Sequence, residues 1–72
     1  MMTTEKARDI AVEFIKKTVM RQCVAKYAEV REHERYPNEY SVIFDLFSKE
    51  GTLIDSPFIV IVDKVTGEPR FQ

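Results

Sequence analysis

The period of the hydrophobic positions changes once along this chain. Ala7, Ile10, Ala11, Phe14, Ile15 and Thr18 recur at helical spacing, with Lys6, Arg8, Asp9, Glu13, Lys16 and Lys17 on the opposite side. One apolar stripe backed by one charged face predicts an amphipathic helix over about residues 4 to 19. Thr3 or Thr4 can cap it by accepting hydrogen bonds from the first-turn N–H groups, and Glu5 complements the positive end of its dipole. Glu13 and Lys17 form a favourable i,i+4 pair. The helix end is open: Thr18, Val19 and Val24 weaken helix propensity, whereas Met20, Arg21, Gln22 and Ala25 would carry it to about residue 23.

Beyond that point the period shortens to two. A first strand is expected within Val24 to Arg35, where Val24, Ala28 and Val30 share a face with Lys26 and Glu32. So much charge suits a sheet edge. Tyr36-Pro37-Asn38-Glu39 reads as a turn, since Pro37 presets φ at its second position and Asn38 tolerates the third. In the next strand Tyr40, Val42, Phe44 and Leu46 alternate with Ser41, Ile43, Asp45 and Phe47, and the all-apolar set should lie under the helix. Lys49 to Thr52 forms a second turn around Gly51. Pro57 marks a strand start, and Phe58 to Val62 is apolar on both faces, as a central strand is. Asp63 to Gly67 turns the chain again, with the Asp63 carboxylate accepting from backbone N–H groups, and Glu68 to Phe71 pairs back.

The order predicts a single α+β domain spanning 1–72: one N-terminal amphipathic helix packed on an antiparallel sheet of three or four strands. With 44% hydrophobic and 32% charged residues the chain has the composition of an ordinary globular domain. At 72 residues it has one small core and no room for a separate catalytic lobe. The net charge of −1 is unevenly divided, +2 through Tyr36 and −3 after it. Neither half has the basic excess of a nucleic-acid surface, and no nucleic-acid partner is expected. Lys6, Arg8, Lys16, Lys17 and Arg21 are interrupted by Asp9 and Glu13 and have no interleaved aromatics, which describes a solvated helix face. No membrane span or apolar leader segment is legible, so the expected compartment is the cytoplasm.

Candidate chemistry is sparse. Cys23 and His33 are the only residues of their kinds, and their spacing matches no known nucleophile–base arrangement. Glu32, His33 and Glu34 are neighbours on an expected strand, so their side chains point to opposite faces and do not converge on a metal. Asp63 is better explained as a turn cap than as half of a carboxylate pair with Asp45. Gly51 and Gly67 are the only glycines, too few for a phosphate-cradling loop. No enzyme activity, cofactor or metal is expected.

Ile43, Phe47, Ile59 and Ile61 carry more information. They face away from the helix, where they form either an apolar interface or a scatter of hydrophobes covered by the connection of residues 48 to 57. The helix, the strand Glu39-Tyr40-Ser41-Val42-Ile43-Phe44 and the strand that runs into Val62-Asp63-Lys64-Val65-Thr66-Gly67-Glu68 together resemble the PepSY domains and the related cystatin-like immunity proteins of bacterial toxin systems. The Gln-x-Val-x-Gly loop of cystatin-type inhibitors is absent. The resemblance implies a non-catalytic domain that binds and inhibits, or shields, another protein. Tyr36, Pro37, Asn38, Arg70 and Phe71, at the expected hairpin tips, are then the candidate contacts. The alternative expectation is a structural domain that dimerises through its sheet.

Overall fold

The computed structural model describes residues 2–18, 24–54 and 57–72. The extension of the helix to residue 23, Cys23, Arg21, and the Asp55–Ser56 part of the connection lie outside the described residues. Helix α1 spans Thr4–Thr18, and the strands are β1 (Val24–His33), β2 (Tyr36–Phe47), β3 (Phe58–Asp63) and β4 (Pro69–Phe71). The strands form one antiparallel sheet in the order β1-β2-β3-β4, so each pairs with its neighbour in sequence. The α+β arrangement with an N-terminal helix is the one the pattern predicts. No helix among the described residues is long and apolar enough to cross a membrane.

Helix α1 begins where the Thr3 hydroxyl accepts from the Lys6 N–H at 3.2 Å and the Thr3 carbonyl accepts from the Ala7 N–H. These bonds satisfy donors that a helix start otherwise leaves without partners. Ala7, Ala11 and Ile15, one turn apart, are fully covered by the sheet. Two of these three are alanines, which lets the helix approach the strands closely. Beneath them lie Tyr40, Val42, Phe44, Val60 and Val62, while Phe14 and Phe58 close the far end against Phe71, their ring centroids 4.7 and 5.0 Å from its own.

The β1–β2 hairpin departs from expectation. Tyr36-Pro37-Asn38-Glu39 is not the turn: these residues open β2, and the chain reverses at Glu34 and Arg35, between the paired His33 and Tyr36. From that pair to the next, Glu32 with Tyr40, β2 holds three residues that have no β1 partner: Pro37, Asn38 and Glu39. The geometry fits their chemistry, because a bulge is where a strand tolerates proline's missing donor. The Asn38 carbonyl accepts from Lys64 N–H at 2.8 Å. A second irregularity leaves Ala28 as an extra residue in β1. It shifts the side-chain parity, so Val30 lies opposite Val42 under the helix while Val24 lies opposite Phe47 on the other face. The imperfect alternation of β1 is this bulge, and Val24 and Val30 do not share a face.

The β3–β4 hairpin is held as its side chains dictate. Asp63 Oδ1 accepts from the backbone N–H groups of Val65 at 2.7 Å and Thr66 at 2.9 Å, and the Thr66 hydroxyl accepts from Glu68 N–H. Gly67 takes φ +78°, a left-handed conformation that a side chain would strain. The Asp-x-x-Thr-Gly stretch is thus spent on closing this turn.

Candidate functional site

In antiparallel pairing, residues directly opposite share a face, so the register maps the side of the sheet that α1 does not cover. Ile43 pairs with Ile59, and Ser41 with Ile61. On one flank Glu29 and Arg31 lie beside Ile43 and Ser41, and on the other Arg70 lies beside Ile61. Three isoleucines therefore form an apolar floor with charged residues on both sides.

The floor is not flat. A hollow of about 280 Å³ opens over Ile61 and Ser41, bounded by His33, Tyr36, Glu39 and Arg70, with Phe71 and Gln72 completing it. A second hollow continues from Ser41 over Ile43 and Ile59 toward Arg31 and the hairpin end at Glu34 and Arg35. Because both hollows share His33, Ser41 and Gln72, they make one trough between the β1–β2 hairpin end and β4. The β2 bulge leaves Tyr36 and His33 at its wall, their rings 6.1 Å apart. Arg70 is held by Glu39, Nη2 to Oε2 at 3.0 Å, and Arg31 pairs with Glu29.

The expected contact residues divide. Tyr36 and Arg70 come together around the first hollow; Phe71 borders it, but its ring packs on the helix side against Phe14 and Phe58. Pro37 and Asn38 do not join them; they line a separate recess with Met2, Lys6, Lys64 and Val65 at the amino end of the helix. Of the apolar set, Ile43, Ile59 and Ile61 form the floor, whereas Phe47 stands apart beneath Lys26, whose Nζ is 5.2 Å from its ring centroid. Ile61 is only 6% exposed, and the other three are half-buried. The described part of the connection after β2, residues 48 to 54, does not lie across them. It runs beside β2, with Leu53 bridged to Phe47 and Ile54 N–H donating to Leu46.

His33, Glu39, Ser41 and Gln72 also border the trough. Ser41 and Glu39 were within reach of the alternation, since they continue the Ile43 face. His33 was hidden by the charge of its neighbours and by the unseen bulge. Glu32 turns to the helix side and bonds Lys64 Nζ at 2.6 Å, and that ammonium sits 4.4 Å over the Tyr40 ring. Glu32, His33 and Glu34 accordingly do not converge, and the described residues contain no group of three metal-ligating side chains. Asp63 pairs with Glu39, six positions along β2 from Asp45; at strand rise that separation is about 20 Å. These two carboxylates form no dyad.

Asp63 shows a clear shift in acidity. The Thr66 and Val65 N–H groups hold its carboxyl below the ordinary carboxylate range, against a small opposing effect of burial, and the Arg70 charge adds to the lowering. Comparison of the chain with protein-family models, curated proteins and solved structures finds no significant match. What the trough offers is an aliphatic floor ringed by a phenol, an imidazole, a hydroxyl and a guanidinium–carboxylate pair. Protein interfaces have this make-up, an apolar centre enriched in Tyr and Arg inside a polar rim.

Proposed function

We propose that this chain is a non-catalytic protein-binding domain, an immunity protein or inhibitor that occludes a partner enzyme, and that the trough opposite the helix receives the partner. One observation carries the reading: Tyr36, Ile61 and Arg70, from three strands, surround a single hollow on the face the helix leaves free. Tyr36 is 58% exposed. Large aromatic groups held on rigid strands bury area on binding at little entropic cost.

The test is quantitative affinity capture with the wild-type chain beside the double variant Tyr36→Ala, Arg70→Ala. Both side chains are exposed, so the urea midpoint should barely move. The expected result is a protein retained by the wild type and lost with the variant, at least about a tenfold drop for two interface anchors. An identical set of proteins on both, or none on either, would remove the trough from consideration.

A further inference from the structure

The two edges of the sheet are unequal. At one end β4 offers three residues, the first of them Pro69, which has no N–H to donate. At the other end β1 runs for ten residues, most of them exposed, and no element of the described structure pairs with its outer side. A long free edge is a template for another strand, and its charges decide which strands are admitted.

We propose that β1 pairs antiparallel with β1 of a second copy, about a two-fold axis through Val30. Such an axis stands perpendicular to the sheet, so both helices fall on one side and the paired residues must share a face. In the unbroken stretch from Glu29 to Glu32, registers therefore change in steps of two. Centring on Glu29 or on Arg31 sets like charges opposite each other. Centring on Val30 instead places Glu29 opposite Arg31 of the second copy, and Arg31 opposite Glu29, on the uncovered face. Val30 meets its own counterpart on the helix side. Each strand carries this complementarity within itself, since Glu29 and Arg31 already form an ion pair across Val30.

One other register would match opposite charges, Lys26 against Glu29. That register puts the extra residue Ala28 of both copies in its central pairs, opposite Tyr27. Centring on Val30 keeps its three central pairs, Glu29 to Arg31, clear of the bulge and meets Ala28 only at their border, opposite Glu32. Helix α1 reaches β1 as well, with Arg8 Cζ 5.7 Å from the Tyr27 ring centroid, but it lies on the face of the sheet and does not pair with the outer backbone of β1. Assembly in this way makes one eight-stranded sheet from two four-stranded ones and leaves Tyr36 and Arg70 outside the contact.

Charge reversal tests the arrangement. In sedimentation equilibrium from about 10 µM to about 1 mM, the range of small interfaces, the wild type should dimerise, more weakly as salt is raised. Glu29→Arg alone and Arg31→Glu alone each set like charges opposite each other twice, and each should raise the dissociation constant at least about tenfold. The exchange Glu29→Arg, Arg31→Glu restores opposite charges in both places and should recover the dimer. Tyr36→Ala, Arg70→Ala should dimerise like wild type. Circular dichroism and the urea midpoint of each variant establish that it folds. A wild type that stays monomeric, single reversals that dimerise normally, or an exchange that fails to rescue would each overturn the proposal.

Discussion

The two faces of the sheet are built from the same residue types in the same two strands, yet they end differently. On the helix side Tyr40, Val42, Phe44, Leu46, Val60 and Val62 are all 9% exposed or less. On the other side Ile43, Phe47 and Ile59 remain half-buried, and only Ile61 is closed off. Side-chain chemistry does not distinguish the two sets; their cover does. Ala7 and Ala11 bring a rigid backbone down onto the first set, while the second is shaded by its own neighbours and by the hairpin end. The helix face therefore holds the fold together, and the other face is left without a covering element among the described residues.

The largest effects should come from the covered face. Phe44→Ala removes a ring 2% exposed at the centre of the core, and should cost about 3–5 kcal/mol by the behaviour of such truncations. A domain this small has little stability to spare, so much of the variant should be unfolded without denaturant. Ile43→Ala, one residue away on the other face, gives up a half-buried side chain and should cost about 1–2 kcal/mol. Urea midpoints compare them, and equal losses would mean that the uncovered face is packed as tightly as the core.

Adding volume should sharpen the same contrast at smaller scale. Ala11 is 0% exposed against the strands, and Ala11→Leu must push the helix off the sheet, at about 1–3 kcal/mol. Ser41→Leu instead extends into a hollow of about 280 Å³, and should stay within about 0.5 kcal/mol of wild type. Thermal unfolding of the two variants side by side measures the difference. A destabilised Ser41→Leu would show the hollow to be more constrained than its lining implies.

The two faces were legible in the sequence because period-two alternation fixes which residues share a side whatever the partners. The β3–β4 turn was legible for another reason: Asp63, Thr66 and Gly67 each supply a specific bond or conformation, and the turn cannot move without losing them. The β1–β2 turn had no such anchor. Pro37 and Asn38 favour a turn, but a bulge satisfies the same preferences, and the reversal fell on Glu34 and Arg35, which carry no turn chemistry. That shift of a few residues separated Pro37 and Asn38 from Tyr36. It also brought His33 to the trough. The Ala28 bulge was equally hidden, because an extra residue in a charged strand leaves no mark of its own. Which hollow Tyr36 shares with Arg70 and Phe71 depends on both irregularities, so propensity alone could not reach it.

The smallest effect expected concerns acid. No charged side chain is buried among the described residues, so falling pH acts at exposed positions and not in the core, and Asp63 is the position where its action is defined. With its carboxyl lowered by the Thr66 and Val65 N–H groups, Asp63 loses its proton more readily folded than unfolded. Its contribution is therefore complete above the unfolded value of about 4 and disappears as pH falls through the folded one. Asp63→Asn removes this titration while keeping the shape of the side chain. The wild type should have the higher urea midpoint near neutrality, and the gap should close below about pH 4. A gap that stays constant down to pH 2 would assign the turn's stability to shape alone, and would leave the charge of Asp63 no part in holding β4 against β3.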